Sequence, residues 1–245
     1  MKIIIKRFDK EVESNTLSKE YEVKNQNLLQ ALIEIKKDID SSLTFRCGCK
    51  SGVCGSCAVR VNGVERLACK TKINENDLIE AMKNRDIIRD LVVDVSHETL
   101  LIKKMDLSLD MDKESNEISQ ENIKKIDLQS NCILCNSCYS SCPVYDVNKE
   151  FLGPFALTRA LRYVNDKKLA NKATILDSLQ TNGIWDCTLC SACTLVCPQS
   201  IDPKADIMQL QNISVQNGYS NPYTQSFDFS DNFSTDFGGF NPNGF

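Results

Sequence analysis

The chain has almost no histidine, the side chain most often used for proton transfer near neutral pH. Its 245 residues include one histidine and one tryptophan. The histidine, His97, lies in a charged stretch after Leu91–Val95 and reads as a surface residue. No phosphate loop, G-x-G-x-x-G fingerprint or hydrolytic motif occurs. Substrate chemistry is therefore expected on another polypeptide, and no catalytic residue is assigned. The net charge of −4 carries no basic footprint for nucleic acid. No run of 18 apolar residues is found, which excludes a spanning helix. Met1–Asp9 contains only a three-isoleucine apolar stretch, too short for a secretory signal. After Lys204 there is no Lys or Arg at all.

Against these absences stand 13 cysteines. Disulfide scaffolds of that density are small secreted domains, and an odd count in a chain of this length fits them poorly. Reduced thiols bound to metal are the better reading. The cysteines fall in two blocks, Cys47–Cys69 and Cys132–Cys197, which divide the chain. The division predicts a first domain over 1–106, a second over 107–212 and an extended tail over 213–245. Leu107–Asn131 is polar and charged and reads as a linker with some helix. Six of the ten phenylalanines lie between Phe227 and Phe245. That stretch suits either docking on a partner or plain disorder.

The first part reads as mixed α/β. Lys2–Phe8 and Tyr21–Val23 are predicted strands joined by a polar hairpin. Leu28, Leu29, Leu32 and Ile33 give the apolar face of a helix. Ala58–Val61, Asn62-Gly63 and Val64–Ala68 form a hairpin signal, because Asn-Gly supplies the positive φ of a tight turn. Leu91–Val95 is a predicted final strand. The second part reads as helical, with a helix starting at Gly153-Pro154.

Cys49, Cys54, Cys57 and Cys69 follow C-x4-C-x2-C…C, the plant-type 2Fe–2S spacing. Gly48, Gly52 and Gly55 would let such a loop turn sharply and aim N–H groups at sulfur. A zinc site is the alternative, since C-x2-C is also a zinc fragment. Cys47 is left over, either as a small packed side chain or as an alternative ligand. In the second block, Cys132, Cys135, Cys138 and Cys142-Pro143 follow C-x2-C-x2-C-x3-C-P. Cys187, Cys190, Cys193 and Cys197-Pro198 repeat it with identical spacing. In two-cluster ferredoxins the fourth cysteine of each run serves the other cluster. The pattern therefore assigns Cys132, Cys135, Cys138 and Cys197 to one 4Fe–4S cluster and Cys187, Cys190, Cys193 and Cys142 to a second.

Arg46-Cys47-Gly48-Cys49-Lys50-Ser51-Gly52-Val53-Cys54-Gly55-Ser56-Cys57 resembles the cluster loop of the iron–sulfur subunits of succinate dehydrogenases and fumarate reductases. Asn62-Gly63 leading to Leu67-Ala68-Cys69 is similar too, as is Arg89-Asp90-Leu91-Val92-Val93-Asp94. With the second block added, the resemblance covers most of Met1 to about Gln211. It implies an α+β chain: a β-grasp 2Fe–2S ferredoxin domain, then an all-α helical ferredoxin domain. It also implies single-electron transfer between a flavoprotein subunit carrying FAD and a quinone-reactive, membrane-associated subunit. The implied order runs from the flavin to the 2Fe–2S site, then the Cys132 set, then the Cys187 set.

The sequence departs from the common family form at Cys190. Family members that lack a cysteine there carry a 3Fe–4S cluster, so a second 4Fe–4S cluster is expected here and 3Fe–4S is the alternative. The tryptophan pair after the first Cys-Pro is absent, since the chain reads Pro143-Val144-Tyr145-Asp146. These departures resemble the non-classical branch, which includes thiol:fumarate and methylmenaquinol:fumarate reductases. In that branch the partner bears Cys-Cys-Gly repeats, which this chain lacks and another polypeptide would supply. Iron–sulfur subunits of other flavin dehydrogenases, heterodisulfide-reductase-like complexes and free multicluster ferredoxins are the competing classes. The cytoplasmic face of the membrane is the expected location, or the periplasmic face if the chain is exported with a partner.

Overall fold

The structure is a computed structural model that describes residues 1–9, 17–105 and 117–224. The predicted hairpin turn at 10–16, much of the polar linker and the Phe-rich stretch lie outside the described residues. Strand β1 (Lys2–Arg7) pairs antiparallel with β2 (Leu17–Glu22), so that Ile3 faces Tyr21 and Ile5 faces Lys19. Helix α1 (Leu28–Glu34) follows, capped by Asn27, whose side chain accepts from the Gln30 N–H. Next come β3 (Ala58–Val61) and β4 (Val64–Leu67), the hairpin that Asn62-Gly63 predicts. Asn62 has φ 50° and Gly63 φ 82°, the left-handed pair that such a turn requires.

Strand β5 (Asp77–Glu80) runs parallel to β1 and antiparallel to β3, giving the sheet order β2-β1-β5-β3-β4. This central strand was not anticipated, because four residues bounded by charges carry little periodicity. Its buried Asp77 is satisfied by the Asn62 side chain (2.7 Å) and the Asn74 N–H (2.8 Å). Apolar side chains alternate along β1, so Ile3 and Ile5 reach the core together with Leu28, Leu29, Leu32 and Ile35 of the helix.

The predicted strand at Leu91–Val95 is shorter. Strand β6 (Ile87–Arg89) pairs with β7 (Val92–Val93) in a separate two-stranded sheet. Between them Asp90, with φ 48°, is buried. Its carboxylate accepts from the Arg7 Nε (2.7 Å), the Thr44 N–H (2.8 Å) and the Phe8 N–H (3.2 Å). The Arg-Asp-Leu-Val run is thus a clip tying the end of β1 to the segment that enters the cysteine loop.

Helix α2 (His97–Lys104) leads away from the sheet. Its Leu101 and Met105 just beyond it pack in the second core, so packing changes partner before residue 106. Helix α3 (Gln120–Ser130) opens with a Ser119/Asn122 capping box. The short helix α4 (Ser137–Ser140) lies within the first cysteine run, and α5 (Pro143–Val147) follows it. Helix α6 (Pro154–Val164) is the buried spine of this half, and Pro154 occupies its first turn as expected. Then come α7 (Ala173–Ser178), α8 (Ala192–Leu195) and α9 (Pro203–Gln216). The first residues expected as tail, from 213, are packed on the helical half instead. Helix α9 continues to Gln216, Ser214 is buried, Tyr219 donates to Asp177 (2.6 Å) and Tyr223 to Asp186 (2.8 Å). The mixed sheet with its packed helix, followed by a helical half, matches the α+β architecture expected. Among the described residues, no helix is long and apolar enough to cross a membrane.

His97 is not the surface residue that its charged neighbours suggested. Its ring packs edge-on to Tyr139 (5.2 Å) and near Phe155 (6.3 Å), and both ring nitrogens are buried. Burial first, then the Arg85 guanidinium, pushes its pKa down to about 3, against the pull of Asp94 and Asn136. The ring is neutral at physiological pH. A helix start that folds back on a neighbouring domain hides its first residue, and local sequence carries no sign of that.

Candidate metal centres

The loop between α1 and β3 carries Cys49, Cys54 and Cys57, and Cys69 follows β4. The Cys49 sulfur accepts from the N–H groups of Ser51 and Val53, and the Cys54 sulfur from that of Cys49, all at 3.4 Å. Hydrogen bonding holds the Cys49 thiol down to about 6, first from the Ser51 side chain and then from the Ser51 and Val53 N–H groups. Gly52 (φ 87°) and Gly55 (φ 71°) make the turns that aim those groups. Burial pushes the Cys57 thiol up to about 11, with Cys69 and Cys54 adding like-charge repulsion. Asn27, the cap of α1, donates its side-chain amide to the Cys69 carbonyl (3.0 Å), fixing the fourth cysteine from the helix side. Cys47 is exposed, and the loop N–H groups aim at Cys49 and Cys54 rather than at it. All four predicted thiols therefore lie around one loop, with Cys47 outside.

The two runs of the helical half share one backbone shape. Leu134 (φ 53°) corresponds to Leu189 (φ 54°), and Asn136 (φ 64°) to Ser191 (φ 67°). A leucine in the left-handed region is an outlier, and two at matching places mark an imposed shape. This shape is common to both C-x2-C-x2-C turns, although Cys190 of the second is exposed. The Leu189 N–H also donates to the Cys187 sulfur (3.4 Å), and that of Tyr145 to Cys142 (3.4 Å).

The thiols sort into interleaved sets. Cys132, Cys135, Cys138 and Cys197 line one cavity. Cys132, Cys135 and Cys138 each experience the charge of Cys197, and Cys138 also that of Cys193 from the other set. Cys142 lies in the field of Cys187 and Cys190, and Cys193 in that of Cys187 and Cys142. Burial is the leading cause that raises Cys132, Cys135, Cys142 and Cys187, raises Cys138 strongly and lifts Cys193 to about 12. Four such thiols in one space cannot ionise together unless a compensating cation lies between them. Among the described residues, no three His, Cys, Asp or Glu side chains converge on a single-ion position. The four thiols of the first set line a cavity instead, and that donor set suits a polynuclear iron–sulfur cluster better than one zinc ion.

The two halves meet at these sites. Asn84 donates its side-chain amide to the carbonyls of Tyr139 (3.0 Å) and Ser140 (3.3 Å). The buried Glu65 of β4 accepts from the Ser140 hydroxyl (2.7 Å). The Gln199 amide donates to the Gly52 carbonyl (3.1 Å). Arg85 lies over the rings of Tyr145 (4.7 Å) and Tyr139 (5.2 Å) and donates to the Tyr145 hydroxyl (2.7 Å). Asn84, Arg85, Glu65 and Gln199 were not singled out from the sequence, where they are ordinary polar positions.

Comparison with known proteins agrees with this organisation. The 2Fe-2S iron-sulfur cluster binding domain family matches residues 2–99, and the 4Fe-4S dicluster domain family matches residues 129–201. The fumarate reductase iron-sulfur subunit of Escherichia coli O6:H1 is 38% identical over 221 residues, covering 85% of this chain and 91% of that protein. The 8-methylmenaquinol:fumarate reductase iron-sulfur subunit of Wolinella succinogenes is 36% identical, covering 89% of this chain and 74% of that protein. A chain of the Mycobacterium smegmatis Sdh1 complex shares the fold with a TM-score of 0.81 at 23% identity, covering 89% of this chain and 97% of that one. This chain belongs to the family of iron–sulfur subunits of succinate dehydrogenases and fumarate reductases, the electron-transfer subunits of those oxidoreductases.

Proposed function

We propose that the chain holds three clusters and links a flavoprotein subunit bearing FAD to a quinone-reactive, membrane-associated subunit. Cys49, Cys54, Cys57 and Cys69 would hold a 2Fe–2S cluster. Cys132, Cys135, Cys138 and Cys197 would hold one 4Fe–4S cluster, and Cys187, Cys190, Cys193 and Cys142 the other. Each cluster supplies one-electron redox chemistry when bound. The protein's part is to keep the thiols inward, to give their sulfurs N–H donors and to fix the two halves against each other.

The observation that carries this reading is the interleaving of the thiols, with Cys197 beside the first run and Cys142 beside the second. The completeness of the second set, with Cys190 present, favours the branch with a second 4Fe–4S cluster. It also favours a membrane-side partner bearing Cys-Cys-Gly repeats. Fumarate as acceptor and a methylated menaquinol as donor are taken from the name of the Wolinella relative. The cytoplasmic face is the proposed location, and the periplasmic face applies if a partner carries the export signal. The test is to purify the intact complex without air and assay succinate and fumarate against lactate and glycerol 3-phosphate. Iron, sulfide and flavin are counted alongside. Activity with lactate or glycerol 3-phosphate alone would move the chain to another flavin dehydrogenase.

A further inference from the structure

Gly55 lies between two proposed ligands of the 2Fe–2S site, Cys54 and Cys57, yet its closest neighbours are in the other half of the chain. A Cβ placed on Gly55 would lie 2.7 Å from the Ile133 carbonyl oxygen, 2.8 Å from the Cys135 Cα and 2.9 Å from its Cβ. These are backbone atoms and a ligand-bearing Cβ, so no flexible side chain can yield. Ile133 and Cys135 pack against the first core, and Cys54, Gly55 and Cys135 line the same cleft.

We infer that Gly55 is a positioning residue that sets the separation between the 2Fe–2S loop and the cluster set of Cys135. This rests on the ligand assignment proposed above. Electron tunnelling falls exponentially with distance, so the hydrogen in place of a side chain matters beyond the turn it permits. The contact brings the backbone of one ligand loop onto that of the other, and any larger residue must wedge them apart. Gly52 and Gly63 also have positive φ, but Gly52 meets only the flexible Lys70 side chain and Gly63 only a terminal nitrogen of Arg60 at 3.5 Å.

The test uses the full chain purified without air, with Gly55→Asn and, as control, Gly63→Asn. Asparagine tolerates a left-handed backbone, so the comparison isolates the clash from the strain. Iron content and the EPR signal of each cluster are measured first. Microwave-power saturation of the 2Fe–2S signal is then recorded with the neighbouring cluster oxidised and reduced. Magnetic coupling between the two centres weakens with the cube of their distance. Gly55→Asn is expected to keep all clusters and lose part of the relaxation enhancement, while Gly63→Asn matches the wild type. Wild-type enhancement in Gly55→Asn would overturn the inference. So would selective loss of the 2Fe–2S signal from that variant, since the glycine would then serve its own loop alone. Missing clusters in the wild type would instead sink the ligand assignment.

Discussion

The side-chain amide of Asn84 donates to the main-chain carbonyl of Cys142 at 3.3 Å. The donor belongs to the sheet-bearing half, and the acceptor is the cysteine proposed to cross over to the second thiol set. Asn84 itself has φ 63°, a conformation asparagine adopts more readily than other non-glycine residues. Replacing it with alanine removes the donor and strains the backbone. Asn84→Ala is expected to cost about 1–3 kcal/mol of stability, and Asn84→Gly less, because glycine keeps the backbone free. Thermal unfolding of the cluster-loaded protein gives the comparison. Equal losses would show that backbone strain adds nothing and that the lost hydrogen bonds carry the whole cost.

Cys190 decides the second set. Wild-type protein with clusters of two, four and four irons should hold roughly 10 Fe per chain. Cys190→Ala should lose about one iron per chain and produce a 3Fe–4S EPR signal in the oxidised state. A strong 3Fe–4S signal in fresh, air-free wild type would show that Cys190, the exposed member of its set, is not a ligand.

His97 makes stability depend on pH. Its folded pKa is lowered to about 3 from 6.5, so between those values the unfolded chain takes up a proton that the folded chain refuses. The contribution is complete above pH 6.5 and is lost as pH falls through the window. Between pH 7 and pH 5 the loss is expected to be roughly 1 kcal/mol, after allowance for solvent around a half-buried ring. His97→Phe should keep the packing on Tyr139 and flatten this slope. Denaturant titrations at the two pH values measure it, and an unchanged slope would place the pH dependence elsewhere.

Asp206 braces the helices around the first set of the helical half. Its buried carboxylate accepts from Gln129 of α3 (2.8 Å) and Thr158 of α6 (2.8 Å), and burial raises its pKa. Asp206→Ala leaves both donors unmatched and is expected to cost about 1–3 kcal/mol. Asp206→Asn keeps an acceptor for one of them and should cost less. The order of the two variants in chemical unfolding is the check.

The parts of this fold that repeat a local pattern were visible in the sequence. The Asn-Gly hairpin, the Pro154 helix and the three cysteine groups each carry their signal within a dozen or so residues. β5 was not visible, because its place is set by β1 and β3 on either side and its four residues carry no period of their own. His97 was misread for the same reason: Tyr139 and Phe155, which bury it, arrive from distant positions. The docking groups, Asn84, Glu65, Gln199 and Gly55, acquire their roles only when the two halves meet. The crossing of Cys142 and Cys197 between the runs is expected from the sequence because the fourth cysteine and its proline keep a fixed place in each repeat.

That interleaving has a consequence for how the protein is made. On the proposed ligand assignment, the set of Cys132, Cys135 and Cys138 waits for Cys197, and Cys142 waits for Cys187, Cys190 and Cys193. A ribosome-bound chain that stops at the first run can present three sulfurs to an iron donor and nothing to close the site. Maturation of both centres is thereby tied to synthesis of the second run, and a chain cut between the runs forfeits the pair together.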